Sequence, residues 1–389
     1  MELLTGLGDV LWATYDFVVF KVLPFLVLIT IIVFIHELGH FLIGRLFRVG
    51  VNVFSIGFGK ELAGWTDKHG TRWRIAAIPL GGYVKFEGDE GAASTPDRKA
   101  LEQMDEAKYG TTLASKPVAQ RAAVVAAGPI ANFLLAIVVF AIIFTVYGRE
   151  ITKPMVTALL PGQVAEKAGF KVGDVIRSID GAPIAGFDEL AVEVGSNPGT
   201  PLRFVVERDG KEIEIVATPK MTVIDAAFGR KARIGRLGIQ GSTSKDMTHR
   251  QHFTLLQALR QGGIESWDVV RRSGKFIWEL IRGRQNVDQL GGPIMIAQIS
   301  GAAAERGLDV YLHFLAVISI GIGLLNLMPV PILDGGHLLF YAIEAVTGRP
   351  LNERAQDIGY RIGFALVLCL MILVFWNDGS AWIRHMVSS

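Results

Sequence analysis

Residues 22–44 read VLPFLVLITIIVFIHELGHFLIG, an apolar run that carries His36, Glu37 and His40 near its end. A helix of this length covers roughly 34 Å, enough to cross a hydrocarbon core of roughly 30 Å. Ionisable side chains are costly to hold inside a spanning helix and usually mark a functional site. The stretch therefore predicts a membrane helix with a polar site within it.

Three further apolar segments predict additional spans at residues 122–147, 312–333 and about 359–376. The chain has 389 residues, half of them hydrophobic, and its mean hydropathy is +0.38, which is rare among soluble proteins. Charged residues still make up 20%, so a soluble-type domain should share the chain. The predicted fold class is a polytopic α-helical membrane protein with about four transmembrane helices.

The remaining composition excludes several classes. A net charge of +2 gives no sign of a nucleic-acid partner. The single cysteine, Cys369, rules out an internal disulfide. The N-terminus is not predicted to be a signal peptide, because no Lys or Arg precedes Lys21 and no A-x-A-like site follows.

Four regions follow from this pattern. Residues 1–148 form an N-terminal membrane part whose first loop, residues 45–121, contains extended segments at Val51–Gly59 and Arg72–Phe86. The second of these is predicted to be two short strands around a Pro/Gly turn. Together they form either a β-region at the membrane boundary or an ordinary hairpin of a small cytoplasmic domain.

Residues 149–222 predict a compact mixed domain, with a short helix at Val164–Ala168 and strands at Leu202–Glu207 and Glu212–Thr218 joined by RDGK. Residues 223–311 predict a linker with an amphipathic helix within 253–283. This helix is expected to lie on the membrane surface, against the helix bundle or on the neighbouring domain. Residues 312–389 form a C-terminal membrane part.

Basic residues set the predicted orientation, because Lys and Arg concentrate in cytoplasmic loops. Residues 1–21 carry one Lys, whereas the first loop and its flanks carry Arg45, Arg48, Arg98, Lys99, Lys108, Lys116 and Arg121. The N-terminus, residues 148–311 and the C-terminus are therefore expected outside, and the polar site near the cytoplasmic side.

The pattern His36-Glu37-Leu38-Gly39-His40 is typical of a metal site. Residues four apart share one helix face, so both imidazoles can reach one ion, while Glu37 stays close to a metal-bound water. Neutral imidazoles and a carboxylate suit Zn²⁺, and a catalytic zinc takes three protein ligands and keeps one position open. The alternative is a polar cluster that only bonds helices together.

Asp334 is the predicted third ligand, within NLMPVPILDGGH at residues 326–337. Pro329 and Pro331 should break the third span, and Gly335 and Gly336 should allow sharp turns. Irregular backbone at membrane depth is tolerated beside protein or a water-filled cavity, which predicts a cavity here. His337 is a competing ligand, although its place after two glycines favours a position outside the ligand set.

The motifs HELGH (36–40), IPLGGYVK (78–85), AAGPIANF (126–133) and NLMPVPILDGGH (326–337) resemble, in this order, the site-2 protease family of intramembrane metalloproteases. The stretch from Leu159 is similar to a PDZ domain, as in the bacterial regulator of sigma-E protease group, although close relatives often carry two. The resemblance implies zinc bound by His36, His40 and Asp334, with Glu37 as catalytic base. It also implies that Asn326, Pro329 and Pro331 bind the substrate.

The resemblance further implies a bacterial inner-membrane enzyme acting in regulated intramembrane proteolysis. Its substrates would be single-pass membrane proteins, such as anti-sigma factors or remnant signal peptides, and the external PDZ domain would act as a size filter or docking module. Two rivals are a transporter or channel, which predicts repeated halves that the chain lacks, and a non-catalytic PDZ scaffold, which does not explain HELGH with a distant Asp.

Overall fold

Within the described part of the chain, four helices are long and apolar enough to cross a membrane: Val18–Leu46, Val118–Val146, Leu308–Asn326 and Glu353–Ser380. The computed structural model describes residues 17–91, 97–226, 230–241, 247–283, 287 and 290–388. The four helices confirm the prediction of a polytopic α-helical membrane protein.

The helices, after a π-helical turn at Val18–Val22, are α1 Leu23–Leu46, α2 Arg98–Glu102, α3 Glu106–Tyr109, α4 Val118–Val146, α5 Val164–Ala168, α6 Phe187–Gly195, α7 Leu255–Ile281, α8 Pro293–Arg306, α9 Leu308–Asn326, α10 Asp334–Thr347 and α11 Glu353–Ser388. The strands are β1 Val51–Thr66, β2 Arg72–Phe86, β3 Arg149–Thr152, β4 Ala158–Leu159, β5 Val175–Ile179, β6 Ala182–Pro183, β7 Leu202–Arg208, β8 Lys211–Ala217, β9 Lys220–Ala226, β10 Arg230–Arg236, β11 Ile239–Gln240 and β12 Thr248–Gln251.

The third and fourth spans differ from their predicted bounds. The third, predicted at 312–333, begins at Leu308 and ends at Asn326, since Pro329 and Pro331 cannot continue the helical hydrogen bonds. Residues 327–333 form a loop, and Asp334 opens a separate helix, α10. The fourth, predicted at about 359–376, lies within the longer α11, because charged residues end an apolar run without ending a helix.

One bent sheet packs against α1. Phe54 of β1 pairs with Val84 on one side and with Trp73 on the other, and Trp65 then folds back to pair with Trp73. Arg72–Phe86 is therefore one continuous strand whose two halves both pair with β1, and not two short strands around a turn, which corrects the prediction. The buried side chains between α1 and the sheet include Phe41 and Phe86.

Apolar side chains remain exposed along the bend of this sheet. They are Phe58, Leu62, Trp65, Ile75, Ile78 and Leu80. Exposed apolar patches of this kind mark contact with lipid or protein. They favour a membrane-associated sheet over the hairpin of a water-exposed domain.

A buried carboxylate in the last span has a structural role. Asp378 of α11 accepts hydrogen bonds from the backbone N–H groups of Gly292 (3.1 Å) and Ile294 (3.0 Å) at the start of α8. These N–H groups have no partner within the helix, so the carboxylate caps α8. This capping role accounts for the presence of a buried carboxylate in the last span.

A second compact unit, mainly residues 142–258, is inserted in the chain between α4 and α7. Its antiparallel sheet has the order β6-β5-β7-β8. Asp209 and Gly210, with φ of 50° and 75°, join β7 to β8 in a tight hairpin. The predicted helix at Val164–Ala168 and the RDGK hairpin are confirmed.

This unit extends beyond residue 222, its predicted end. β11 pairs with β4, and β12 pairs with β3. Leu237, 3% exposed, belongs to the same core as Phe204. Residues 223–311 are therefore not one linker: part of them completes the inserted unit, and the predicted helix within 253–283 follows as α7.

Candidate metal centre

Three potential metal ligands converge from two distant parts of the chain. His36 and His40 lie one turn apart on α1, and Asp334 is the first residue of α10. Asp334 Oδ2 lies 3.2 Å from His36 Nε2 and 3.6 Å from His40 Nε2, and the two Nε2 atoms are 3.2 Å apart. The group could hold a metal ion.

These separations fit a zinc ion. Ligands about 2.1 Å from zinc at tetrahedral angles lie about 3.4 Å from one another. In addition, the buried Asp334 Oδ2 has no hydrogen-bond partner among the described residues, although His36 Nε2 is near. An unsatisfied buried carboxylate oxygen is costly unless a cation neutralises it.

Helix α4 orients both imidazoles. His40 Nδ1 lies 2.9 Å from the backbone oxygen of Val124, and His36 Nδ1 lies 3.2 Å from the side-chain amide of Asn132. Both contacts leave the Nε2 atoms facing Asp334. Metal-binding histidines commonly use the second ring nitrogen in this way.

Two glycines allow α1 and α4 to approach closely at this point. A Cβ on Gly39 would lie 2.4 Å from the backbone oxygen of Ala127. A Cβ on Gly128 would lie 2.2 Å from His40 Nε2 and 2.9 Å from His36 Cε1. Any side chain at Gly128 would therefore occupy the space in which the imidazoles meet.

The loop at residues 327–333 folds back over the start of α10. A Cβ on Gly335 would lie 2.3 Å from the backbone oxygen of Met328, and one on Gly336 would lie 2.4 Å from that of Val330. Both glycines are helical, so they permit close packing and not the sharp turns predicted from the sequence. Ile332 has φ of 92°, a strained conformation for a β-branched residue, two positions before Asp334.

A cavity of about 120 Å³ surrounds the three ligand atoms. Glu37 and Asn326 line it with the ligands, which places two further predicted site residues in the same space. Pro329 and Pro331 are not among the described residues that line it; they shape the loop beside it. The predicted cavity beside the helix break is thus present.

His337 lines the same cavity but does not belong to the converging group. Its ring lies 5.7 Å from that of Tyr360, and it also lines a neighbouring cavity of about 260 Å³. Asp89 borders this neighbouring cavity, and burial raises its pKa to about 7 despite a hydrogen bond from the Phe86 N–H. The cavity bordered by Asp89 therefore adjoins the cavity of the candidate metal centre, and His337 lines both.

Sequence reasoning did not assign roles to Asn132 and Gly128, although both lie in the quoted stretch AAGPIANF. A signal for Asn132 was available, because it is an amide inside an apolar span, as unusual there as the histidines in α1. Gly128 gave no such signal, since small residues are common where membrane helices pack.

Comparison with known proteins agrees with this geometry. The model of peptidase family M50 matches residues 24–370. A protein of Rhizobium meliloti (strain 1021) is 49% identical over 91% of this chain and 95% of its own length, and one of Agrobacterium fabrum is 45% identical over 96% and 100%. Both carry the words zinc metalloprotease in their names.

Metalloprotease MmpA of Caulobacter vibrioides is 38% identical over 91% of this chain and 94% of its own length. These likenesses favour the enzyme over the transporter and scaffold alternatives. The chain belongs to peptidase family M50, the site-2 protease family, and is a zinc metalloprotease of the multi-pass membrane type.

Proposed function

We propose that the chain hydrolyses peptide bonds within the transmembrane segments of single-pass membrane proteins. His36, His40 and Asp334 hold the zinc, and Glu37 is the catalytic base. The observation that carries this proposal is the convergence of the three ligand atoms in a cavity that Glu37 also lines. Three of these four residues lie on α1, which is long and apolar enough to cross a membrane.

The residues divide the chemistry among them. Bound zinc would polarise the scissile carbonyl and lower the pKa of a water molecule. Glu37 takes the proton of the attacking water and returns it to the leaving amine. Asn326, at the end of α9 and on the cavity wall, donates a hydrogen bond to the substrate backbone or to the developing oxyanion.

The substrate has to unwind before it is cut. A helix is about 10 Å wide with its side chains, too wide for a cavity of about 120 Å³, and its carbonyls are engaged in internal hydrogen bonds. Val84 and Phe86 line this cavity and lie in the last part of β2. Among the described strands, this part of β2 pairs with the start of β1 alone, so its other edge is open. An unwound substrate could add to that edge as a further strand.

The inserted unit is proposed to be a PDZ-like domain that docks or sizes substrates. A groove of about 260 Å³ runs between α6 and residues 234–239. Phe187, Leu190 and Leu237 line it. An apolar groove between a helix and an extended segment suits an extended peptide end.

Removing this unit should widen the substrate range. β3 and β12 form a two-stranded stem in which Thr152 pairs with Thr248, so an Asn-Gly turn replacing residues 153–247 would close the stem cleanly. We expect the shortened chain to cleave membrane substrates that still carry their folded external domains, at several-fold higher rates than the full chain. Co-expression with tagged full-length and trimmed substrates measures this. Unchanged selectivity of the shortened chain would contradict the role of the inserted unit as a filter.

The proposed location is a bacterial inner membrane. The N-terminus and the inserted unit face the periplasm, and the site lies near the cytoplasmic side. The basic first loop supports this orientation. Anti-sigma factor-like proteins and remnant signal peptides are the proposed substrates, in a pathway of regulated intramembrane proteolysis.

Membrane proteomes of cells carrying either the wild-type chain or Glu37→Gln test the substrate class. Fragments that contain a single apolar segment should accumulate several-fold in the variant, because they are no longer cut. Quantitative mass spectrometry of the membrane fraction measures them, with an Asp334→Ala strain as a second inactive control. Equal fragment levels in all three strains would contradict the proposal.

A further inference from the structure

Asn132 lies wholly buried in the second span, with its side chain directed at His36. Its Nδ2 is 3.2 Å from His36 Nδ1, while its Oδ1 has no hydrogen-bond partner among the described residues. A buried amide oxygen without a partner lowers the stability of a fold. The orientation of the Asn132 amide, with its nitrogen and not its oxygen towards His36, therefore needs an explanation.

The neighbouring histidine shows which tautomer the site requires. His40 Nδ1 faces the backbone oxygen of Val124 at 2.9 Å, and a carbonyl can only accept. Neutral His40 therefore carries its proton on Nδ1, and its Nε2 presents a lone pair. For His36 to present Nε2 in the same way, its Nδ1 must also be protonated and must donate.

Asn132 is the partner that decides this for His36. With Nδ2 turned to the ring, the amide donates and stabilises the tautomer that is protonated on Nε2. With the amide rotated by half a turn, Oδ1 accepts from Nδ1–H and leaves Nε2 free. Oxygen and nitrogen are nearly equal in size, so the rotation exchanges the two without disturbing the packing.

The backbone holds Asn132 in this position. Its carbonyl accepts a hydrogen bond of 2.9 Å from Ser319 Oγ of α9. Asn132 also lies one turn after Gly128, at which α4 approaches the two imidazoles. The backbone of Asn132 is therefore held against α9, while its side chain faces α1.

We propose that Asn132 is a positioning residue: its amide oxygen accepts a hydrogen bond from His36 Nδ1–H and so keeps His36 Nε2 free for zinc. This inference rests on the proposed ligand set. It assigns no proton transfer to Asn132, only the choice of tautomer and ring orientation at His36.

Zinc affinity of the purified full chain tests the proposal without reference to cleavage. Asn132→Leu, similar in size but unable to hydrogen-bond, should weaken zinc binding about 10- to 100-fold in competition with a graded series of chelators. Asn132→Asp, which retains the acceptor and adds negative charge, should bind zinc at least as tightly as the wild type. Asn326→Leu, the same change on the wall of the same cavity, should leave zinc affinity unchanged.

Wild-type zinc affinity in a folded Asn132→Leu, or a tenfold loss in a folded Asn132→Asp, would overturn the inference. If the substitutions prevent folding, ¹⁵N-histidine NMR of the zinc-loaded wild type decides: protonated Nδ1 on His36 supports it, and protonated Nε2 overturns it. A wild-type chain that takes up no zinc would instead contradict the proposed ligand set. Failure of the ligand set and failure of the role of Asn132 are therefore distinguishable.

Discussion

Glu37→Gln should leave zinc bound at the wild-type level while lowering cleavage by roughly 10²- to 10⁴-fold, the usual contribution of a general base. Glutamine has the shape of glutamate, and Glu37 does not belong to the converging ligand group. It can fill the same space beside Gly82 but cannot accept the proton of water. Elemental analysis of the purified chain and cleavage of a fluorogenic peptide with an apolar segment measure the two effects.

Asp334→Ala is the matched comparison, because it removes a proposed zinc ligand instead of the proposed base. It should lose both zinc and cleavage, since two imidazoles alone bind the ion weakly. A Glu37→Gln chain that cleaves at the wild-type rate would contradict the role of Glu37. An Asp334→Ala chain that keeps full zinc affinity would contradict the ligand set.

Gly128→Ala should weaken zinc binding at least tenfold through a single added methyl group. The new Cβ would lie 2.2 Å from His40 Nε2, where a Cβ is not tolerated. The backbone of α4 has little room to retreat, because α9 packs against it closely: a Cβ on Gly323 would lie 3.3 Å from the backbone oxygen of Pro129. The imidazoles must therefore move apart, and we expect zinc affinity to fall at least tenfold and cleavage to fall to background.

Gly321→Ala is the control for this substitution. Gly321 also lies within a spanning helix, but nothing lies within 4 Å of a Cβ built there. It should keep wild-type zinc affinity and thermal stability, since alanine is the better helix former. Normal zinc affinity in Gly128→Ala would show that the helices can separate at the site and would contradict the tight approach described here.

The sequence predicted the spans and the convergence of His36, His40 and Asp334, and the reasons are physical. A long apolar run has few folds in a bilayer, and a polar residue within it is unexpected enough to be noticed. His36, His40 and Asp334 stood out in this way. The end of the third span was missed because residues 327–333 are as apolar as the helix before them, although Pro329 and Pro331 marked the break.

Other features depend on partners that lie far away in the sequence. Both halves of β2 pair with β1: Phe54 pairs with Trp73 from one half and with Val84 from the other. No local sequence pattern reveals these pairings. The extent of the inserted unit likewise depends on β11 and β12, which return to β4 and β3 across the whole unit. The role of Asn132 required the distance to His36.

The stem formed by β3 and β12 has a consequence for how such chains diversify. Both ends of the insertion leave as neighbouring strands, with the hydroxyl oxygens of Thr152 and Thr248 3.0 Å apart. Joining ends that already meet costs little chain entropy, whatever the length of the segment between them. The stem is thus a point at which the inserted domain can be exchanged, doubled or omitted, by evolution or by protein engineering, while the sequence of every span stays the same.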